Sequence, residues 1–371
     1  MLCLSGTDEA QTVGAISTGT GLSRPTVHAV LDDLLDVGLV TETSPSAAGL
    51  GRPARAFRFA REAGLVAGVD LGPRGARAVI CDLSGRRLAY AELMGDQRPD
   101  IALIEHAVQV VAAEASVDIS RLRAIGVALP GVIEADGRLR ASLAMPDLVG
   151  LPVAETVAQS IGHSVAVDND IKLAALAEQR GGAGRGYADV VYLQIGHRLS
   201  VSIVLNGVIR QGRHRLAGEL GAQRGMRWTR NAERGQLVWT SQPTGEAVLR
   251  AATAGDPAAR AEIEDFCAQI AERVATVLLV VDPEVLVVRG GPAADSEVLL
   301  RSLEAAVDKE LLFAERAPFV ASALGREAVV LGAVGNAFDR FSSDIYGVHG
   351  YPSPWMRITD DVERASSETR S

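Results

Sequence analysis

One pattern is laid down twice in this chain. Apolar runs at Leu65–Asp70, Arg77–Asp82 and Arg87–Glu92 are joined by a tight turn and by Ser84-Gly85. A second set follows at Val190–Ile195, Val201–Leu205 and Val208-Ile209. Each set reads as a strand, a hairpin and a return, and each is followed by helical and strand segments in alternation. A sequence that repeats such a unit predicts a duplicated α/β fold with a cleft between two lobes. In α/β folds, ligand sites gather at the carboxyl ends of strands. Asp70, Pro130-Gly131, Asp170, Gly196 and Gly290-Gly291 all fall at such ends and are treated as one site.

The segments between the two hairpin sets fill out the lobes. Helices are expected over Ile101–Ala115 and Lys172–Arg180, with buried strands at Ala124–Ala128 and Val165–Val167. In the second half, helices are expected over Glu246–Ala254, Pro257–Val280, Ser296–Lys309 and Glu327–Phe341, with strands at Val285–Val288 and Phe319–Ala321. Residues 63–342 therefore form the body, with one lobe of about 63–180 plus 327–342 and another of about 181–326. Residues 343–371 are polar with a mixed-charge end, a composition that predicts a mostly disordered tail.

Residues 1–62 read differently. Thr12–Ser17 is a short helical segment, and Thr20-Gly21-Leu22 is a turn with Gly where φ is positive. Ser23 supplies a helix cap and Pro25 sits in the first turn, where its missing N–H costs nothing. Val27, Leu31 and Leu34 fall on one face of that helix, with Arg24, Thr26 and His28 at its start. This is a helix-turn-helix, whose second helix places its N-terminal side chains on base edges in a major groove. A strand from Leu39-Val40, a Ser/Pro/Gly loop over Ser44–Gly51 and a strand over Ala54–Ala60 make a hairpin wing. Arg52, Arg55, Arg58 and Arg61 lie in a stretch without acids. They are placed to pair with phosphates, Arg52 at the tip to enter a minor groove. The DNA-contacting set is thus Ser23, Arg24, Thr26, His28, Arg52, Arg55 and Arg58. A winged protein-interaction module with a solvated Arg face is the alternative. Only Met1–Ser5 stand ahead as a first helix, which predicts a thin head or a start placed too late.

The net charge of -9 argues against wholesale coating of nucleic acid and leaves room for a small DNA-reading module. Cys3, Cys81 and Cys267 are far apart, without metal-type spacing, as expected of a reduced cytoplasm. No apolar run approaches the ~20 residues of a membrane helix. The expected partners are double-stranded operator DNA and further copies of the chain, as a dimer or tetramer, with no membrane.

Five segments carry a resemblance to a known family: Gly126-Val127-Ala128-Leu129-Pro130-Gly131, Val167-Asp168-Asn169-Asp170, Ala174-Leu176-Ala177-Glu178, Ala217-Gly218-Glu219-Leu220-Gly221 and Arg289-Gly290-Gly291. In this order the chain resembles the ROK family (repressors, open reading frames and sugar kinases). The resemblance implies a two-lobed actin-like ATPase body, duplicated and ribonuclease-H-like, behind an N-terminal winged helix-turn-helix. By resemblance Asp170 matches the base that deprotonates a sugar hydroxyl, and Asn169 and Glu219 bond further hydroxyls. Gly131 lines the same site, and Asp147 stands where the family usually has Asn. Read without the family, Asn169-Asp170 is an N-cap for the helix from Lys172, and Glu219 is a surface loop acid.

The departures are as specific as the matches. The family's first phosphate loop is usually Asp-Leu-Gly-Gly-Thr, where this chain has Asp70-Leu71-Gly72-Pro73-Arg74-Gly75. Its second is usually Gly-Thr-Gly-Ile-Gly, where this chain has Gly196-His197-Arg198-Leu199-Ser200. A phosphate cradle depends on bare backbone N–H groups, so ATP binding and phosphoryl transfer are expected to fail. Arg74 and Arg198 leave room for pairing with a phosphorylated ligand by charge. Ala222 follows Gly221 where the family has His, and residues 225–241 hold no Cys, so no metal and no cofactor are expected. His214 and Arg213, near the mouth, read as solvated. The expectation is a DNA-binding regulator of carbohydrate-related genes that senses a sugar or sugar-derived ligand and has no catalytic residue, Asp170 being a vestigial base. A sugar kinase that kept an accessory head and a ligand-independent repressor are the alternatives.

Overall fold

The computed structural model describes residues 1–43, 55–95, 98–223, 228–232, 236–290 and 296–360. The head is built from α1 (Leu2–Ser5), β1 (Gln11–Thr12), α2 (Val13–Thr20), α3 (Arg24–Asp36), β2 (Val40–Thr43) and β3 (Ala56–Phe59). Thr12 caps α2 by accepting from the Ala15 amide at 3.2 Å, so the helix begins one residue later than the sequence suggested. Gly21 ends it at φ 72°. Ser23 caps α3, accepting from the Thr26 amide at 3.4 Å. The three strands pair in the order β1-β3-β2, so the wing has a third strand, Gln11–Thr12, too short to leave a periodicity in the sequence.

The body carries the duplicated unit. The first lobe holds β4 (Leu65–Gly72), β5 (Gly75–Asp82), β6 (Arg87–Met94), α4 (Ala102–Glu114), β7 (Leu122–Leu129), β8 (Val132–Ile133), β9 (Leu139–Ala141), α5 (Val153–Ile161), β10 (Ser164–Asn169) and α6 (Asp170–Gly181). The second holds β11 (Val190–Ile195), β12 (Leu199–Leu205), β13 (Val208–Ile209), α7 (Gly245–Thr253), α8 (Pro257–Val281), β14 (Val285–Arg289), α9 (Ser296–Val307) and β15 (Phe319–Ala321). The sheets run β6-β5-β4-β7-β10 and β13-β12-β11-β14-β15. In both, three antiparallel strands lead into two parallel ones. The chain leaves the first lobe through α6 and returns through α10 (Ala328–Arg340), which is followed by α11 (Ser342–Tyr346).

α10 is buried from Ala328 to Phe338 because it is pressed between the first lobe's sheet and α6. Two glycines permit this approach. A Cβ at Gly126 of β7 would lie 1.8 Å from the Ala333 carbonyl oxygen, and one at Gly332 would lie 2.0 Å from that of Leu173. No side chain fits either gap.

The expectation of a disordered tail over 343–371 is corrected for residues 343–360; the rest lies outside the described residues. Tyr346 is 2% exposed and donates to the Leu83 carbonyl at 2.7 Å. Trp355 and Ile358 are also buried, and residues 355–360 are helical. A few apolar side chains seated in preformed gaps outweigh a polar composition. Head, body and this segment share one core: Leu4, Ile16, Val27, Phe57, Val66, Tyr346 and Trp355 belong to the same buried cluster. The short first helix is therefore covered from outside the head.

Candidate functional site

The cleft end of the first lobe is made by the carboxyl ends of β4, β7 and β10. β10 delivers Asn169 to the start of α6, where it acts as the N-cap. Its Oδ1 accepts from the Lys172 amide at 3.0 Å, and its Nδ2 donates to the Gly131 carbonyl at 2.8 Å. The capping role is thus present whatever else Asn169 does, and it fixes the loop after β7 against α6. Gly131 has φ 134°, and a Cβ there would lie 2.3 Å from the Ala141 carbonyl oxygen. Asp170 follows as the first residue of α6, its Oδ1 accepting from the Ile171 amide at 2.9 Å.

Asp170 has an environment hostile to charge. Burial, then the nearby Asp70, push its pKa up to about 7, and Glu219 adds to the rise. The Ile171 amide and Arg289 oppose this without cancelling it. Asp70, at the end of β4, is held by Arg77 at 3.2 Å, and Arg77 also reaches Glu92 at 3.0 Å. Burial nevertheless raises Asp70 above the ordinary carboxylate range. Glu219 lies after β13 and is likewise raised by burial, against the pull of Lys172. Arg289, the last residue of β14, donates to the Gln194 side chain at 2.7 Å. Three carboxylates from both lobes therefore face one site, with Asp170 poised near neutrality.

Beside them lies a polar cluster that was not legible in the sequence. Lys172 is 3% exposed and donates to the Arg215 carbonyl at 3.1 Å. Arg215 pairs with Asp168 at 3.2 Å, and Gln211 donates to the same carboxylate at 3.0 Å. These bonds dock the second lobe's 211–219 segment onto the start of α6. Arg140 of β9 adds a bond to the His214 carbonyl at 2.7 Å. His214 and Arg213 are exposed, as their polarity suggested. Asp147 is exposed in a turn and bonded to Arg98 at 2.9 Å. The family pattern placed it by sequence position, which does not report the Arg98 partner.

The two turns where phosphates would sit are closed hairpins. β4 and β5 pair to the last residue, Gly72 opposite Gly75, leaving only Pro73 and Arg74 between them. Pro73 has no N–H, and the Arg74 carbonyl is bonded to the Gly95 amide at 3.1 Å. Between β11 and β12, the Gly196 amide donates to the Arg198 carbonyl at 3.1 Å, and the His197 carbonyl accepts from Leu237 at 2.7 Å. Burial, with Arg74 and Arg198 nearby, lowers the His197 pKa. Of the backbone donors a triphosphate cradle would use, Pro73 supplies none and the Gly196 amide is already engaged.

Among the described residues no group of three or more His, Cys, Asp or Glu is placed to hold an ion. Residues 236–241 are held to α8. Glu262 of α8 accepts from the Thr240 amide at 2.6 Å, the Thr240 hydroxyl at 2.8 Å, the Ser241 amide at 2.9 Å and the Ser241 hydroxyl. Trp239 packs on Phe266 with ring centroids 5.0 Å apart.

On the head, Ser23, Arg24, Thr26 and His28 are all exposed at the start of α3. Arg55 forms a two-point pair with Glu42, both bonds at 2.6 Å, and Arg58 pairs with Glu62. Such exposed pairs are worth little and yield readily to a phosphate. Arg52 lies outside the described residues.

The ROK family profile matches residues 66–235 and 223–338, and the IclR helix-turn-helix domain profile matches residues 1–44. The chain is 21% identical over 358 residues to the xylose repressor of Caldicellulosiruptor bescii, a match covering 86% of this chain and 89% of the repressor. It is 29% identical over 201 residues to the N-acetylgalactosamine kinase of Shewanella sp. strain ANA-3. That match covers 47% of this chain and 65% of the kinase. In fold, it is similar to the crystal structure of a ROK family transcriptional regulator homologous to the Escherichia coli MLC protein. The TM-score is 0.65 at 22% identity, over 95% of this chain and 94% of that one.

Proposed function

The chain belongs to the ROK family, with its two-lobed actin-like ATPase fold and an IclR-type helix-turn-helix, and from that premise we propose a cytoplasmic transcriptional regulator that senses a sugar or sugar-derived ligand without phosphorylating it. The observation that carries this is the contrast across the cleft. The carboxylate side keeps Asn169, Asp170 and Glu219 around one space, while each turn opposite lacks a free donor, the Gly196 amide being bonded to Arg198 and Pro73 having none. Carboxylates suit a ring of hydroxyls, since each oxygen accepts from a neighbouring one. The xylose repressor, matched along most of both chains, supports a carbohydrate-related regulator. Ligand is proposed to settle between the lobes and favour one lobe angle, a population shift that requires different affinity in the two states. DNA is proposed to meet Ser23, Arg24, Thr26, His28 and the wing arginines. A homo-oligomer presenting two heads fits operator reading, and exposed Leu279, Val280, Leu312 and Phe313 give the second lobe apolar surface for it.

One observation favours a second reading as a sugar kinase. A carboxylate with a pKa of about 7 suits a general base, and Asp170 has that environment. The two readings separate in one assay. Purified protein with MgATP and a panel of pentoses, hexoses and N-acetylhexosamines should form no sugar-dependent ADP. The panel should instead raise Tm for one sugar class. Turnover that disappears in Asp170→Asn would establish the kinase and overturn the regulator-only reading.

A further inference from the structure

We propose that residues 342–360 form a coupling strap that ties the far end of the cleft helix α6 to the DNA-binding head. This rests on the reading of head and cleft given above, and it supplies the route between them.

α6 begins at the cleft with Asp170, capped by Asn169, and ends at Gly181. Its 12 residues make a rod of about 18 Å. A displacement of its ligand end therefore reappears at its other end. That other end is where the strap sits. A Cβ on Gly181 would lie 2.1 Å from the Thr359 hydroxyl oxygen and 2.7 Å from its methyl carbon, so Thr359 rests directly on the helix end. Thr359 is 1% exposed and its hydroxyl donates to the Trp355 carbonyl at 3.0 Å, locking it into the 355–360 turn.

From there the strap runs over α10 to the head. The Trp355 ring fills the space above Gly335, where a Cβ would lie 2.0 Å from its tip, and its indole N–H donates to Asp339 at 3.2 Å. The strap thus grips both helices that join the lobes. At the head, the Tyr351 and Ser5 hydroxyls are bonded at 2.6 Å. Asp8 accepts from Arg61 at 2.7 Å and from Arg357 at 3.4 Å. Tyr351 also packs on Tyr346, ring centroids 4.4 Å apart, so the head contact is continuous with the buried anchor. Packed contacts of this kind transmit displacement because interiors are dense and do not deform smoothly.

Hydrogen exchange on the full chain tests this without DNA or ligand. Gly181→Ala drives a Cβ into Thr359 and is expected to speed exchange of amides in residues 1–12 about tenfold. Adding Thr359→Ala removes the two nearest atoms, leaving its own Cβ at 2.8 Å, and should bring the head part of the way back toward wild type. Tyr351→Phe deletes only the hydroxyl that meets Ser5, so it keeps the test alive if Gly181→Ala does not fold. By reciprocity it should speed exchange at residues 177–182 as well as in the head. Tyr351→Phe perturbing the head alone, or Gly181→Ala perturbing only 355–360, overturns the proposal. Loss of DNA binding by wild type would instead sink the regulator reading and leave the strap standing.

Discussion

At the residue scale the site depends on a carboxylate that folding makes reluctant to ionise. Asp170 is raised from 3.8 to about 7 by burial beside Asp70 and Glu219. The folded state then holds a proton that the unfolded chain releases, so between about pH 4 and pH 7 stability falls as pH rises. Asp170→Asn keeps an acceptor for the Ile171 amide and removes the titration. The variant should gain on wild type from pH 5 to pH 8, by up to about 2.5 kcal/mol before solvent relaxation reduces it. Urea midpoints of both proteins at the two pH values measure this, and a constant difference would exclude Asp170 as the raised group. The sequence marked Asp170 through its place after Asn169. It gave no sign of Lys172, Arg215 and Gln211, because residues 172 and 215 become neighbours only when the second lobe docks.

Elements show a second kind of legibility. The caps, turn and apolar face of α3 are local features, so Thr20 to Leu34 was readable directly. DNA affinity should depend on what the helix start exposes. Arg24→Ala should weaken binding to an operator isolated by genomic selection about tenfold. Fluorescence anisotropy across salt concentrations should show a slope lower by about one if the contact is to phosphate. An unchanged isotherm would remove α3 from recognition. The wing was harder to read, since β1 is two residues long and finds its partner in β3. The hairpins at Gly72–Gly75 and Gly196–Leu199 were legible as departures from a phosphate loop. That the Gly196 amide is bonded inside its own turn, and that Gly72 pairs with Gly75, are facts of strand register.

Across the whole molecule, the two lobes are pinned where α6 leaves the first of them. Glu178 is 1% exposed. It accepts from the Ser322 hydroxyl and from the amides of Leu324 at 2.8 Å, Ala323 at 3.2 Å and Ala183 at 2.7 Å. One carboxylate on α6 thus fixes the segment between β15 and α10. Removing it leaves four donors without this acceptor, those of Ser322 and Leu324 buried and those of Ala323 and Ala183 partly so. Glu178→Ala should cost about 3 kcal/mol or more, read by denaturant unfolding, with Glu178→Gln recovering only part. A cost below about 1 kcal/mol would show that water takes over those donors. The same scale explains the tail. Its composition is polar, and a composition argument assumes that no surface awaits it. Gly335 and Gly181 leave gaps shaped for Trp355 and Thr359, and those gaps exist only once α6 and α10 have packed.

The duplicated strand pattern, the capped recognition helix and the Pro73 and Arg198 departures in the two turns were determined by the sequence alone, because each is set by short-range periodicity, backbone φ or the presence of an N–H. The docking of residues 342–360, the buried Lys172–Arg215–Asp168 cluster and the neutral bias of Asp170 were decided by tertiary structure. Each depends on desolvation and close packing between segments far apart in the chain, and neither has a value until the lobes meet.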